Sequence, residues 1–501
     1  GSDALAAVVY IKTANSKSAD FINFIVEAGE NDSSNLSVNG FSNKKNWSIN
    51  YNLSQLNTNG TNVSRNGNEN DDSDLLTAGL MSNLKYNENL SINLGARYVK
   101  STTEFDDTFT TGIPIDADLF SDSKQIYLDA GVEKSFPQID VLHKFNIRHL
   151  GTERKDFNTG AEMSESESNR TTLSYQADLQ LGMSRLSIAL EHERNSFNDE
   201  LNNLPNQDQS MNVNSAVADL HWVLNDQLTA LSSLRLDKYS DFKDALTGRI
   251  ALSFRLRPET KFRASLGTGQ KIPTFTERFG YSPLNFIGNP NLKSEKSISY
   301  EFGIEKLYLD NSLEFEITYF KSILEDEING FVPIIIFPDN QEEDIIFAST
   351  AENIINKSHR QGIEINSRYR ADKNIELGFS YTYTDSTFEN LLGNDIREIR
   401  RPRHNSSISA NYKFANNRAN FFLVANYNGS QIDNVFLPPN FLPEGIKLDN
   451  YWLVNATLKY NLTNKINIFT RFSNLLDKNF EDIYGFNTQD RAIYAGILFE
   501  F

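Results

Sequence analysis

The sequence predicts an all-β protein, a transmembrane antiparallel β-barrel of about 22 strands. Three observations predict it. From residue 21 to the end, segments of about ten residues alternate apolar and polar side chains. The breaks between them are alternately short and long, as when tight turns lie on one side of a bilayer and long loops on the other. No run of 18 or more apolar residues occurs, which removes the helical way of crossing a membrane.

In chain order, short breaks fall at residues 42–46, 87–89, 225–227, 257–259, 309–311, 371–373, 415–417 and 462–464. Long breaks lie between them, for example at 57–74, 101–123, 269–296, 325–360 and 428–450. The first clear strand is Trp47-Ser48-Ile49-Asn50-Tyr51-Asn52-Leu53, followed by Leu90-Ser91-Ile92-Asn93-Leu94. Leu173-Ser174-Tyr175-Gln176-Ala177-Asp178-Leu179 and Leu313-Glu314-Phe315-Glu316-Ile317 read the same way. Leu, Ile, Val, Phe and Tyr share one face, to meet lipid. Ser, Asn, Gln, Glu and Arg share the other, to line a wet lumen. A slip of one residue would exchange the two faces, so the pattern fixes the register. Each strand is expected to be close to the 9–11 residues that cross a membrane at a tilt.

Composition agrees. Mean hydropathy is −0.47 and 39% of residues are apolar, low values that a polar lumen face explains. The 35 Phe and 20 Tyr suit aromatic girdles at two interfaces. A secreted solenoid or propeller would show a fixed repeat period, and none is present. The net charge of −18, from 66 acidic against 48 basic residues, argues against nucleic acid as a partner. With no cysteine there are no disulfides, thiolate metal sites or thiol nucleophiles. A barrel of about 22 strands is wide enough to need a plug. Gly1-Ser2-Asp3 shows no initiator Met, basic n-region or apolar h-region, so the export signal is expected upstream.

Several stretches resemble one family, in its order. The opening Gly1-Ser2-Asp3-Ala4-Leu5 through Thr13 resembles the end of the plug domain in TonB-dependent outer-membrane transporters. Gly267-Thr268-Gly269-Gln270-Lys271-Ile272-Pro273-Thr274-Phe275 with Gly288-Asn289-Pro290-Asn291-Leu292-Lys293-Ser294-Glu295 is similar to the family's mid-barrel signature. Asn353 through Gly362-Ile363-Glu364 and Phe472-Ser473-Asn474-Leu475-Leu476-Asp477-Lys478-Asn479-Phe480 match further motifs, Leu476 standing where Phe is usual. The ending Tyr494-Ala495-Gly496-Ile497-Leu498-Phe499-Glu500-Phe501 resembles the signal read by the barrel-assembly machinery, carried by Tyr494, Gly496, Phe499 and Phe501. Within the family the likeness is greatest to vitamin B12 (cobalamin) transporters, through residues 477–486, Arg491, the Gly-Asn-Pro-Asn-Leu block and Arg400-Arg401.

The resemblance implies residues 1–13 as a plug remnant, 14–20 as a linker and 21–501 as the barrel. It implies a Gram-negative outer-membrane protein, monomeric, that takes up a scarce large nutrient of the cobalamin or siderophore class. A TonB-type energy-coupling protein would drive the intact molecule. The alternatives are a passive porin-like pore, a siderophore or haem receptor, or an adhesin or phage-binding surface. Candidate ligand contacts are the loop aromatics Phe279, Tyr281, Phe286, Phe436, Phe441, Tyr484 and Phe486, which offer large contact at low entropy cost. No cofactor is expected apart from a structural Ca²⁺ in the extracellular loops. Asp71, Asp72, Asp74, Asp106, Asp107, Asp116 and Asp118 form the densest acidic group, and Ca²⁺ takes six to eight oxygen ligands. The resembled transporters order early loops with calcium in this way. Catalysis is not expected. The six His form no His-x-x-x-His pair, and no Gly-x-Ser-x-Gly elbow is present.

Overall fold

The computed structural model describes residues 20–65, 67–108, 111–201, 204–280, 286–336, 346–390, 392–438 and 442–501. Residues 1–13, read above as a plug remnant, and 14–19 of the linker lie outside the described residues, as do Tyr281 and Phe441.

Consecutive strands pair antiparallel into one 23-stranded sheet. The three-residue strand Asp395–Arg397 is a side branch on Ile375–Glu389, so 22 strands form the wall. Phe21–Gly29 pairs with Ser33–Lys44 on one side and with the last strand, Ala492–Glu500, on the other. That second pairing closes the barrel and leaves no free edge. The predicted alternation sets the faces. Leu36, Leu53, Leu80, Leu94, Phe145, Leu190, Leu234 and Ile250 are all exposed on the outside, where lipid replaces a core. Residues one position along line the lumen, and there ion pairs gather: Lys144 with Asp178 at 2.8 Å, Arg235 with Asp237 at 2.8 Å and Arg471 with Glu27 at 2.9 Å.

The four terminal residues divide between the faces. Phe499 pairs outward with Phe24, while Tyr494 and Gly496 face the lumen opposite Gly29 and Glu27. The Arg471 guanidinium lies 4.1 Å from the centre of the Tyr494 ring. A Cβ on Gly496 would come within 2.3 Å of the Phe469 ring, so only glycine fits. Phe501 follows the last strand and meets Phe24 edge-on at 6.4 Å.

Two expectations need correction. Strand length is not uniform at 9–11 residues. The six strands from Leu90–Asp107 to Leu204–Val223 run 18 to 22 residues, against 8 for Ile466–Ser473. The break placed at 101–123 is therefore mostly strand, since pairing runs to Asp107 and resumes at Ile115. About ten residues span the bilayer, so the surplus stands beyond it as a wall on one side of the mouth. The short-turn series also lacked two members, at Pro137–Asp140 and Gly182–Met183. These turns carry exposed Ile139 and Met183, so no polar break marks them.

Three long connections hold structure of their own. Residues 269–296 contain the helix Phe275–Phe279. Residues 325–360 form the hairpin of Ile328–Ile336 and Ile346–Asn353, and 428–450 that of Gln431–Phe436 and Pro443–Leu448.

Candidate functional site

The long connections meet over the extracellular mouth in two groups. The first joins both ends of the chain. Ser64 Oγ donates to the Pro114 carbonyl at 2.9 Å, the Asn487 amide to the Val63 carbonyl at 2.9 Å, and Asn487 Nδ2 to the Ser64 carbonyl at 2.9 Å. Arg65 pairs with Glu481 and lies 5.1 Å from the centre of the Tyr484 ring. Asp433 is the hub. It is fully buried and accepts from Arg400 Nε at 2.6 Å, the Tyr484 amide at 2.8 Å and the Asn434 amide at 2.8 Å. Beside it, Asp482 accepts from the Tyr451 hydroxyl at 2.6 Å, and its carbonyl accepts from Gln431 Nε2 at 3.0 Å. A buried carboxyl with three donors, one of them a guanidinium, has its hydrogen-bonding needs met.

The second group seats the helix Phe275–Phe279 against the tall wall. Thr274 and Glu277 form a capping box at its start. Phe275 stacks on Phe197 with ring centres 6.4 Å apart. Arg278 pairs with Asp241 at 2.9 Å and lies over the rings of Phe242 and Phe279. Behind the helix, Phe286, Leu292 and Ala351 make a small core, and Asn289 Nδ2 donates to the Ala351 carbonyl at 3.0 Å. The Phe331 and Phe436 rings meet edge-on at 5.1 Å, which joins the two groups.

Among the described candidate aromatics, Tyr484 lies under Arg65 and Phe486 bridges Ser64. Phe436 meets Phe331, and Phe279 lies under Arg278. Phe286 is 7% exposed, a core residue that offers no ring to the vestibule. Sequence reading missed Arg65, Asp241, Asp433 and Asn487. Only Asp433 carried a signal, a lone carboxylate amid the alternation of Gln431–Phe436.

The acidic residues divide as well. Asp71 accepts from the Val63 amide at 2.8 Å, and Asp116 from the Asn68 amide at 2.6 Å. Asp106, well beyond the apolar belt, is buried, and neither of its oxygens makes a well-formed hydrogen bond. Burial first, then Asp71 and Asp116, push its pKa up to about 6, against the Ala117 amide. Asp71 is raised by burial and by Asp116 and Asp72, and Glu69, absent from the sequence-based set, by burial and then Asp116 and Asp71. The fold thus gathers Asp71, Asp106 and Asp116 with Glu69 and places Asp72 at their edge. Asp74 and Asp118 point outward from strands, and Asp107 pairs across to Ile115. Among the described residues no three such groups reach metal-ligating geometry.

The closed 22-strand barrel with structured loops at one end has relatives among known proteins. The profile of the family described as "TonB dependent receptor-like, beta-barrel" matches residues 20–475. The chain belongs to that family. This TonB-dependent receptor barrel is 25% identical over 412 residues to the vitamin B12 transporter of Photobacterium profundum, covering 82% of this chain and 62% of that protein. It is 32% identical over 254 residues to the vitamin B12 transporter of Vibrio vulnificus, covering 51% of this chain and 36% of that protein. It therefore spans less than two thirds of either relative. The ferric enterobactin receptor of Pseudomonas aeruginosa in complex with enterobactin superposes with a TM-score of 0.81 at 14% identity, covering 98% of this chain and 82% of that one. Outer-membrane placement follows from the family and the barrel.

Proposed function

We propose that this barrel belongs to an energy-coupled importer of a scarce large nutrient, with cobalamin as the leading ligand class and a ferric siderophore as the second. The observation that carries this reading is the likeness to vitamin B12 transporters, which runs over 412 residues. The siderophore alternative draws on the fold shared with siderophore receptors. In this reading the ligand lands in the vestibule between the two loop groups, against Phe279, Phe436, Tyr484 and Phe486. A TonB-type protein drives release through a plug, and we assign no catalytic step to the chain. A structural Ca²⁺ among Asp71, Asp106, Asp116 and Glu69 is part of the proposal. Its support is electrostatic: a divalent cation would relieve the mutual repulsion that raises these carboxyls.

Equilibrium binding to the purified chain tests the ligand class, with cyanocobalamin set against ferric enterobactin and ferric pyoverdine. Saturable cyanocobalamin binding that weakens at least roughly tenfold in Tyr484→Ala, the cost of about 1.4 kcal/mol, is the expected result. Saturable binding of a siderophore alone would move the assignment to the second class.

A further inference from the structure

We infer that Asn474 is a positioning residue for the nutrient site, a clasp whose carboxamide joins both ends of the connection that carries Tyr484 and Phe486. The inference rests on the reading of those two rings as ligand contacts. Asn474 follows the strand Ile466–Ser473 and is 2% exposed. Its Nδ2 donates to the Lys478 carbonyl at 2.9 Å and to the Gln489 carbonyl at 3.0 Å. Its Oδ1 accepts from the Lys478 amide at 2.9 Å. Lys478 opens the connection and Gln489 ends it, so one side chain closes a compact loop at its neck. The clasp is itself fixed to the barrel wall. The Asn474 amide donates to Asn455 Oδ1 at 2.9 Å, and the Leu475 amide to the Val454 carbonyl at 2.7 Å.

Few residues can stand at this position. The φ of Asn474 is 46°, in the left-handed region that Gly enters freely, and Asn and Asp more readily than other side chains. The neck also needs two donors and one acceptor on a short side chain. Gly offers none of these, and an ionised Asp offers acceptors only. Asn carries both donors and an oxygen on one planar group, and here all three are used. Backbone conformation and hydrogen-bond chemistry therefore select the same residue independently.

The consequence for the site comes from where the rest of the loop is held. Beyond the neck, the Tyr484 amide donates to Asp433, and Asn487 bonds the carbonyls of Val63 and Ser64. Those partners fix the tip relative to neighbouring connections, whereas Asn474 fixes it relative to the wall. Two smaller ties support the neck: the Arg491 amide donates to Asp477 Oδ1 at 2.9 Å, and Thr488 Oγ1 to the Phe480 carbonyl at 2.9 Å. Without the Asn474 carboxamide, two carbonyls lose their donors and the neck opens. Both rings then lose their set height above the lumen.

Hydrogen exchange and equilibrium binding on the purified chain test this, with Asn474→Asp, Asn474→Ala and, as a control, Asn464→Asp in a turn at the opposite end of the barrel. Heat-modifiable gel mobility reports that each barrel is folded. At neutral pH both Asn474 variants should exchange faster than wild type over residues 478–490, with the strand Tyr451–Asn461 unchanged. Both should also lose roughly tenfold in affinity for whichever of cyanocobalamin and ferric enterobactin the wild type binds. The two variants should part as pH falls. A protonated carboxyl has one O–H to donate, so Asn474→Asp should regain protection relative to wild type at the same pH, and Asn474→Ala should not. The charged groups on the elements packed there are Asp477, Lys478, Asp490 and Arg491 in the connection, and Arg471 with Glu27 on the wall. All the proteins compared share them, so wild type supplies the reference profile. Unchanged exchange over residues 478–490 in both variants would overturn the clasp. Equal exchange by the Asp and Ala variants at every pH would overturn the role of the two donors. Faster exchange with full ligand affinity would overturn the positioning role. A wild-type chain that binds neither probe would remove the nutrient reading instead, and exchange alone would then decide the clasp.

Discussion

Asp106 is the carboxyl whose charge this fold accommodates worst. Its folded pKa of about 6 stands above the ordinary 3.8, so the folded loop holds the proton more tightly than the unfolded one. The loop therefore gains stability as pH falls through about 6 and is weakest at neutral pH and above. A bound divalent cation would act at pH 7 as the proton does at pH 5. Hydrogen exchange over residues 60–72 and 104–117 should slow on acidification, and slow at pH 7 when millimolar Ca²⁺ is added. Asp106→Asn should raise protection at pH 7 and reduce the calcium response. If calcium leaves exchange in the wild-type loops unchanged at pH 7, the metal proposal is wrong. Asp433 is the opposite case, a buried carboxylate fully used by Arg400 and two amides. Asp433→Ala would leave those donors unmatched at about 1–3 kcal/mol each. The connection around Tyr484 should then become a protease target while the barrel stays folded. The sequence located the acidic group but not its centre. Asp71, Asp106 and Asp116 resemble Asp74, Asp107 and Asp118 in composition, and only the strand ends decide which converge.

At the scale of the strand, alternation was legible wherever one face meets lipid. Ile408 is exposed and its neighbour Ser409 is not, as the pattern in His404–Phe414 requires. Ile408→Arg should cost about 2–4 kcal/mol, and Ser409→Arg much less, because one meets hydrocarbon and the other a wet lumen. Unfolding in urea from lipid vesicles measures both, and equal costs would contradict the facing. Past the bilayer the signal fails for a physical reason. In Ser164-Glu165-Ser166-Glu167-Ser168 both faces are polar, so nothing distinguishes a tall strand from a loop. Glu165 and Glu167 face outward opposite Lys155 and Glu153, while Ser164 and Ser166 face inward opposite Asp156 and Arg154. The hairpins within 325–360 and 428–450 were hidden similarly, since they pair with themselves and show lipid no apolar stripe.

For the whole molecule, strand number survived local errors. The two unmarked turns at Pro137–Asp140 and Gly182–Met183 were compensated by segment length, so the expected total of about 22 agrees with the wall. Charge is unevenly spread. Residues 101–123 hold six acidic residues and no basic one, whereas residues 397–403 hold four arginines. The early rim is therefore negative and the late rim mixed, a division that follows from the order of loops around the cylinder. The pairing of Phe24 with Phe499 and Val26 with Ile497 bears on biogenesis. The ring cannot be finished until Ala492–Glu500 has been made, because that stave supplies one side of the closing seam. A nonsense codon upstream of Ala492 should give no smaller working version, only an unclosed ribbon with two raw margins for quality-control proteases to find.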